Sequence, residues 1–282
     1  MDTALPPERF GTLLRDSRRA RRLSQLDLAG QAEVSQRHLS FLESGRARPS
    51  REMVLQLATA LDLPLRERNR LLLGAGFAGV YPERRLEERD MAPATEALRM
   101  LIAHHEPFPA IVVDRAWNQL LANSAVPRIF GALGDWDTMW QRVCGDGPRN
   151  VLMMTLHEQG LRPYWANLEE FAPPLLARTA HEALSHPPTQ AVLDTVLRYP
   201  GLPRKLRRID LDAARLPVLP ARIQAGPLQL SLYSMLTTFG TPLDVTTDEL
   251  RVESFFPADA QTEALLRRLG APPAHTQAAP PP

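Results

Sequence analysis

Apolar residues recur at helical spacing in short stretches through residues 8–77, and polar or small residues separate one stretch from the next. Ser24 and Ser35 stand directly before the second and third stretches, where serine is a favoured N-cap residue. Gly45 follows the third stretch, in the position that glycine often takes after a helix. The pattern therefore predicts an all-α domain of five short helices, the last of which begins after Pro64.

Beyond residue 92 the hydrophobic pattern alternates between the periods of helices and strands. Ala110–Val113 and Trp117–Leu121 are two short apolar runs that together predict a hairpin. Further strands are predicted at 217–224, 228–236 and 250–256, and helices at 94–105, 124–133, 136–143, 149–156, 168–184, 189–198 and 259–269. We therefore expect an α+β domain over residues 93–270, a linker at 78–92 and a disordered tail at 271–282.

Basic residues are concentrated in the helical part of the chain. Residues 1–80 carry a net charge of +4 and the remainder carries −3, so the first domain is the one suited to a polyanion. Cys144 is the only cysteine, which leaves no internal disulfide and indicates a reducing compartment. The chain starts without the pattern of a signal peptide and has no apolar run of membrane-spanning length, so we expect a cytoplasmic protein.

The sequence lacks the residue patterns that carry catalysis. His104, His105, His157 and Cys144 do not have metal-ligand spacing, and no nucleophile elbow is present. No glycine-rich loop is placed to hold phosphates. The sequence therefore predicts a protein that is not an enzyme and that needs neither a cofactor nor a metal.

The segment Leu23–Ser50 has the layout of a helix-turn-helix, which needs two short helices and a polar outer face on the second. In the predicted third helix Leu39 and Leu42 point inward, because they are one helical turn apart. This turns four side chains outward: Gln36, Arg37, Ser40 and Phe41. Glutamine suits adenine, arginine suits guanine, and amide groups at a helix start can bind phosphates. From the pattern alone, a small helical bundle without DNA contacts is the alternative.

The residues SQ-L-LA and S-RHLS-LE-G-ARPS in this segment resemble the Xre family of phage-repressor-like regulators. The resemblance implies a lambda-repressor-like domain, a palindromic double-stranded operator and a homodimer. Carried over by position, it implies the following DNA contacts: Gln25, which opens the second helix, Ser35 and Gln36 at the start of the third, Arg37, Ser40, and Phe41 against a thymine methyl group. Arg46 and Arg48 follow the helix and are predicted phosphate contacts.

Two further features, an ion pair and a turn, concern the fold of this domain. The family pairs an arginine of the first helix with a glutamate at the end of the third, which here implies an ion pair between Arg18 and Glu43. Glu33 departs from the family, since many relatives have glycine in the turn between the second and third helices. Because glutamate tolerates a positive φ poorly, we expect a slightly different turn.

The second domain resembles that of the MmyB-like regulators, in VVDRAWNQLLANSA, LHEQGLRPYWANLEE and LYSMLTTFGTPLDVTTDELRVESFFPAD. The resemblance covers the chain from Pro7 to about Asp259 and implies a PAS-like sensor domain that holds an apolar small molecule, with a fatty acid as one candidate. The aromatic and leucine residues that could form the cavity wall are Trp117, Phe130, Trp136, Trp140, Leu156, Tyr164, Trp165, Phe171 and Phe239. The polar candidates are Asn123, Arg162 and Asn167, and Arg162 could pair with a carboxylate.

Three interpretations of the whole chain remain open from the sequence. The leading one is a DNA-binding transcription regulator whose second domain senses an apolar ligand. In the second, the α+β domain is only a dimerisation or protein-interaction module, and its core is filled. In the third, the chain is an antitoxin-like partner of a toxin, although such antitoxins are usually little more than the helix-turn-helix. Asn123 also has a structural alternative, as the cap of the helix that follows the second strand.

Overall fold

The structure is a computed structural model that describes residues 9–209 and 220–271. The chain divides into two compact units. The first holds the described residues up to Arg85 together with Gly240–Asp248, and the second holds Leu86–Phe239 and the described residues from Glu249 onward. The predicted disordered tail from residue 272 onward and the first part of the strand predicted at 217–224 lie outside the described residues.

The first unit confirms the all-α prediction. Its described N-terminal helices are α1 (Phe10–Ala20), α2 (Gln25–Gln31), α3 (Gln36–Glu43), α4 (Arg51–Ala60) and α5 (Leu65–Gly74). Each of the serines that precede α2, α3 and α4 accepts a hydrogen bond from a backbone N–H of the first turn. Leucines from every helix meet in one core, among them the fully buried Leu14, Leu28, Leu39, Leu57 and Leu72. Cap chemistry and hydrophobic spacing thus agree along this unit.

Helices α1 and α3 approach each other unusually closely at Gly11. A Cβ atom at this position would lie 2.6 Å from the carbonyl oxygen of Leu42 and 2.7 Å from that of Glu43. Because backbone atoms cannot move aside cheaply, only glycine permits this approach. The close packing brings the side chains of α1 within reach of the end of α3.

Residues 240–248 belong to the first unit although they come late in the sequence. A carboxylate oxygen of Asp248 accepts a hydrogen bond from the backbone N–H of Leu65 at 2.8 Å. Helix α5 has no side-chain cap from Pro64, so Asp248 supplies the acceptor that its first turn lacks. Val245 donates its backbone N–H to Pro82 at 2.8 Å, and Asp244 pairs with Arg84 at 3.1 Å.

Replacing Asp248 with alanine should destabilise the first unit by about 1 kcal/mol, as the loss of a helix cap usually does. Asp248→Asn is the matched variant, since asparagine keeps an oxygen that can accept from Leu65. The measurement is thermal unfolding followed by far-UV circular dichroism. Equal melting temperatures for the alanine variant and the wild type would contradict a capping role.

The second unit is α+β, as the sequence predicts. Its described strands are β1 (Ala110–Val113), β2 (Gln119–Ala122), β3 (Ala221–Ala225), β4 (Leu228–Thr237) and β5 (Arg251–Pro257), which pair in the order β2-β1-β5-β4-β3. Every neighbouring pair is antiparallel. The described helices are α6 (Ala92–His104), α7 (Ala125–Phe130), α8 (Trp136–Cys144), α9 (Val151–Leu156), α10 (Leu168–Ala183), α11 (Pro187–Leu197), α12 (Val245–Glu249), which begins in the first unit, and α13 (Ala260–Gly270).

Both faces of the sheet are covered by helices. Ile111 and Val113 of β1 belong to the larger core, which includes residues of α7 to α11 and α13. Ala110 and Val112 point to the opposite face and pack with Leu98 of α6. Alternate residues of a strand face opposite sides, so burial on both sides explains why β1 is continuously apolar. None of the described helices is both long and apolar enough to cross a membrane.

Candidate DNA-reading surface and ligand cavity

Helix α3 presents the outer face that the helix-turn-helix pattern predicts. Leu39 and Leu42 are buried, whereas Gln36 and Arg37 at the start of the helix are exposed. Ser35 fixes this first turn, because its hydroxyl accepts the backbone N–H of His38 at 3.2 Å. The helix start therefore offers two long polar side chains, one an amide and one a guanidinium, from a rigid position.

Phe41 and two arginines form a cluster on the same surface. The guanidinium carbon of Arg37 lies 5.4 Å from the centre of the Phe41 ring, and that of Arg46 lies 6.0 Å from it. Such cation–π contacts hold a cation above a ring and reduce the entropy that it loses on binding a partner. Ser40 beside them is partly buried, and Arg48 is exposed. The predicted DNA-facing residues of α3 thus lie together with the predicted phosphate contacts.

The predicted ion pair between Arg18 and Glu43 is confirmed. Nε of Arg18 lies 2.6 Å from Oε1 of Glu43, and Nη2 lies 2.9 Å from Oε2. Gln25 donates a third hydrogen bond to this carboxylate at 2.9 Å. Burial acts to raise the pKa of Glu43, but the hydrogen bonds from Arg18 and Gln25 outweigh it and lower the pKa. Gln25 is therefore held by the core of the motif, and its contact with a base stays a prediction.

The turn between α2 and α3 keeps a left-handed residue without glycine. Glu33 adopts φ 51°, so the glutamate takes up the conformation that glycine would adopt more cheaply. A residue other than glycine in this conformation carries local backbone strain.

A cavity of about 480 Å³ lies in the second unit between the sheet and helices α8 to α10. All four tryptophans of the chain line it: Trp117, Trp136, Trp140 and Trp165. Phe130, Phe171 and Phe255 add further aromatic wall. This volume and a mainly apolar lining are typical of sites for small organic molecules.

The structure brings six of the nine predicted wall residues together around this cavity. They are Trp117, Phe130, Trp136, Trp140, Trp165 and Phe171. Leu156 and Phe239 do not line it, and Tyr164 lines a separate, more polar cavity of about 450 Å³. The hydroxyl of Tyr164 donates to the carbonyl oxygen of Leu133 at 3.1 Å.

The three predicted polar ligand residues lie outside the cavity lining. Asn123 neither caps α7 nor faces the cavity; its amide donates to the carbonyl oxygens of Ile102 and Phe108 and accepts from the backbone of Ala110. Asn167 joins α10 to β3, by donating to the carbonyl oxygen of Pro220 and accepting from the backbone N–H of Arg222. Arg162 pairs with Glu158 at 3.2 Å, so its guanidinium forms a salt bridge within the protein. Their ligand contacts have no geometric support here.

The polar residues that do line the cavity were not predicted from the sequence. They are Gln119, Thr155, Arg178, Ser234 and Glu253. Glu253 lies opposite Ile111 in the pairing of β1 with β5, so it faces the larger core. The signal in the sequence was the alternation of β5, which puts Glu253 on the same face as Phe255. Glutamate is rare on the core-facing side of a strand, so its presence there indicates a candidate ligand-binding site.

The left-handed residue Trp117 places its ring in this wall. It has φ 69°, so β2 begins at Gln119 and not at Trp117 as predicted. A carboxylate oxygen of Asp114 accepts the backbone N–H of Asn118 at 2.8 Å, which closes the hairpin turn. A bulky residue held in this conformation is a feature of sites that the surrounding structure enforces. Within the described residues, no cluster of His, Cys, Asp or Glu side chains is arranged to hold a metal ion.

Comparison with known proteins gives a match for each unit. The family described as MmyB-like transcription regulator ligand binding domain matches residues 94–269. A family described as helix-turn-helix domain matches residues 9–71. The chain is also similar to the transcriptional regulator ClgR of Mycobacterium tuberculosis, from strains CDC 1551 / Oshkosh and ATCC 25618 / H37Rv, with 35% identity over 110 residues that cover 39% of this chain and 90% of the relative.

Proposed function

The chain belongs to the MmyB-like transcription regulators, and from this premise we propose that it is a ligand-responsive regulator of transcription. That it is a DNA-binding transcription regulator follows from the two family matches and from its similarity to a transcriptional regulator. We propose further that it binds a palindromic operator in the cytoplasm as a homodimer, and that an apolar small molecule in the second unit controls this binding.

The observation that carries the DNA-reading part is the exposed start of α3. Gln36 and Arg37 extend from its first turn, and both of their side-chain types can form bidentate hydrogen bonds with bases in the major groove. Arg46 and Arg48 stand beyond the helix, where positive charge would meet phosphates. The two classes of contact are therefore separable by mutation.

Arg37→Ala should weaken binding to the operator by about 1–3 kcal/mol and relax the preference at one base position. The operator is first selected from random duplexes with the wild-type protein, and affinities are then measured on the operator and on random DNA. The loss should be confined to the operator, because a base contact contributes little to non-specific binding.

Arg48→Ala is the matched control for charge. It should weaken both kinds of DNA to the same degree and reduce the salt dependence of binding by about one unit of slope, as a phosphate contact does. Should Arg37→Ala behave in the same way as Arg48→Ala, Arg37 would be a phosphate contact and the proposed base reading would be wrong.

The cavity supports the ligand-binding part of the proposal over a purely dimerising second unit. A module that only dimerises needs no cavity, and apolar cores are usually filled to crystal-like density. The aromatic wall suits an apolar chain, and a fatty acid is one candidate ligand.

All four tryptophans line the cavity, so their fluorescence should change when a ligand binds. Native mass spectrometry of the purified protein would show whether such a molecule co-purifies, and a protein that binds none would favour the dimerisation module.

The path of the chain supports a link between ligand and DNA. Residues 240–248 are bonded to Leu65, Pro82 and Arg84 of the first unit. In the sequence this segment joins β4 to β5, and both strands contribute side chains to the cavity wall. A ligand that shifts these strands would therefore act on a segment that is bonded to the start of α5 in the DNA-binding unit. Coupling between two sites is typically worth about 1–3 kcal/mol.

A further inference from the structure

Glu253 places a carboxyl group in the wall of a cavity that is otherwise mainly apolar. We propose that Glu253 selects a ligand with an apolar chain and an uncharged head group that donates a hydrogen bond, such as a hydroxyl or a primary amide, and that it disfavours a free carboxylate. This inference rests on the ligand-binding role proposed above and deepens it. It also replaces the fatty acid by a neutral molecule of similar shape.

The neighbours of Glu253 leave its carboxyl group able to accept a hydrogen bond from a ligand. Its partners across the sheet are Ile111 and Leu236, which are apolar. The hydroxyl of Ser234 donates one hydrogen bond to it, and a carboxyl group can accept more than one. Burial raises the pKa of Glu253, although Ser234 and the charge of Arg178 act against this. In either protonation state the carboxyl can accept a hydrogen bond from a ligand.

Arg178, which lines the cavity, already has a carboxylate partner, and so do Arg251 and Arg115, which also contact Glu182. Nε of Arg178 lies 3.0 Å from Oε1 of Glu182, and Nη1 of Arg251 lies 2.9 Å from the other oxygen of the same residue. Arg115 pairs with Glu249 at 3.4 Å. A carboxylate head group would thus compete with these glutamates for positive charge while it lies beside Glu253. Two carboxylates that share a site repel each other unless one of them takes up a proton.

The cavity wall also contains donors that need an acceptor. Within the described residues, the buried indole N–H groups of Trp117 and Trp140 have no hydrogen-bond partner, and both rings line the cavity. A buried donor without a partner costs free energy, which a ligand can recover. An ammonium group cannot accept, and a carboxylate cannot donate to Glu253. A hydroxyl or an amide does both, so it fits the mixed set of polar groups.

The test is a series of ligands with one alkyl chain and different heads: dodecanol, dodecanamide, dodecanoate and dodecylamine. Binding to the full chain is followed by tryptophan fluorescence near neutral pH. The neutral compounds are kept below their solubility limits and the ionic compounds below their micelle concentrations. Dodecanol and dodecanamide should bind at least about tenfold more tightly than dodecanoate. In Glu253→Gln the repulsion is absent, so dodecanoate should bind about tenfold more tightly than it does to the wild type.

The control variant is Glu263→Gln, which changes a half-exposed glutamate paired with Arg267 on α13 and should leave every affinity unchanged. If dodecanoate binds the wild type most tightly and Glu253→Gln leaves its affinity unchanged, the inference about Glu253 is overturned and the ligand-binding role stands. If no compound of the series binds, both the ligand-binding role and the inference about its head group fail.

Discussion

Arg18→Met is expected to unfold the first unit under conditions in which the second remains folded. The Glu43 side chain is only 2% exposed, and Arg18 donates two short hydrogen bonds to its carboxylate. Methionine fills similar space but leaves this buried charge without its main partner. Breaking a buried ion pair in this way typically costs about 3–5 kcal/mol, which is a large part of the stability of a small domain. Gln25 and Arg15 remain near the carboxylate and can offset only part of the loss.

The distribution of tryptophan allows the two units to be followed separately. All four tryptophans lie in the second unit, so their fluorescence reports its unfolding alone, whereas far-UV circular dichroism reports the helices of both units. For Arg18→Met, part of the dichroism signal should be lost at a lower temperature while the fluorescence transition stays in place. Arg19→Met is the control, because Arg19 is an exposed residue of the same helix. If the fluorescence transition shifted together with the dichroism transition, the ion pair would affect the stability of both units.

The sequence allowed the five N-terminal helices to be predicted almost completely, because the signals that define them are local. Each serine cap acts on a backbone N–H of the turn that follows it, and Gly45 ends α3 with φ 74°. Leu39 and Leu42 are buried because of helical spacing alone. The pair of Arg18 with Glu43 joins distant residues, and only the resemblance to a known family implied it.

The polar end of the cavity could not be predicted in this way, since it depends on contacts between distant parts of the chain. The register of β1 against β5 decides which face Glu253 occupies, and nothing near Glu253 in the sequence specifies that register. Asn123 and Asn167 show the opposite error. They lie in segments that resemble the MmyB-like regulators and are therefore predicted ligand contacts, yet each forms hydrogen bonds to backbone groups. A short amide side chain is well suited to that task, because it both donates and accepts.

Residues 240–248 are a second case in which local sequence misled. The segment lies between two strands of the second unit, so its position in the sequence assigns it to that unit. Its hydrogen bonds to Leu65, Pro82 and Arg84 assign it to the first. Asp248 acts as a cap for a helix that begins far earlier in the chain, and a search for caps next to each helix cannot find such a residue.

Asn150→Ala is expected to have the largest effect on the second unit. The Asn150 side chain is buried and donates to the carbonyl oxygen of Ala116 at 2.7 Å and to the amide oxygen of Asn118 at 3.0 Å. Its own amide oxygen caps α9, by accepting the backbone N–H of Met153 at 3.1 Å. Loss of the cap and of two bonds to buried acceptors should cost about 3 kcal/mol, and tryptophan fluorescence should report the lower melting temperature.

The same variant tests whether the hairpin holds Trp117 for the ligand. Asn150 donates hydrogen bonds to the residues on both sides of Trp117. Without them, Trp117 should relax from its left-handed conformation, and its ring should move away from the cavity wall. Asn150→Asp separates the two contributions, because aspartate keeps the cap acceptor but cannot donate to Ala116 or Asn118. If these two hydrogen bonds position Trp117, Asn150→Asp should retain the cap on α9 and still bind dodecanol less tightly than the wild type. Wild-type affinity in a folded Asn150→Asp protein would mean that the position of Trp117 is set by the packing of the cavity alone.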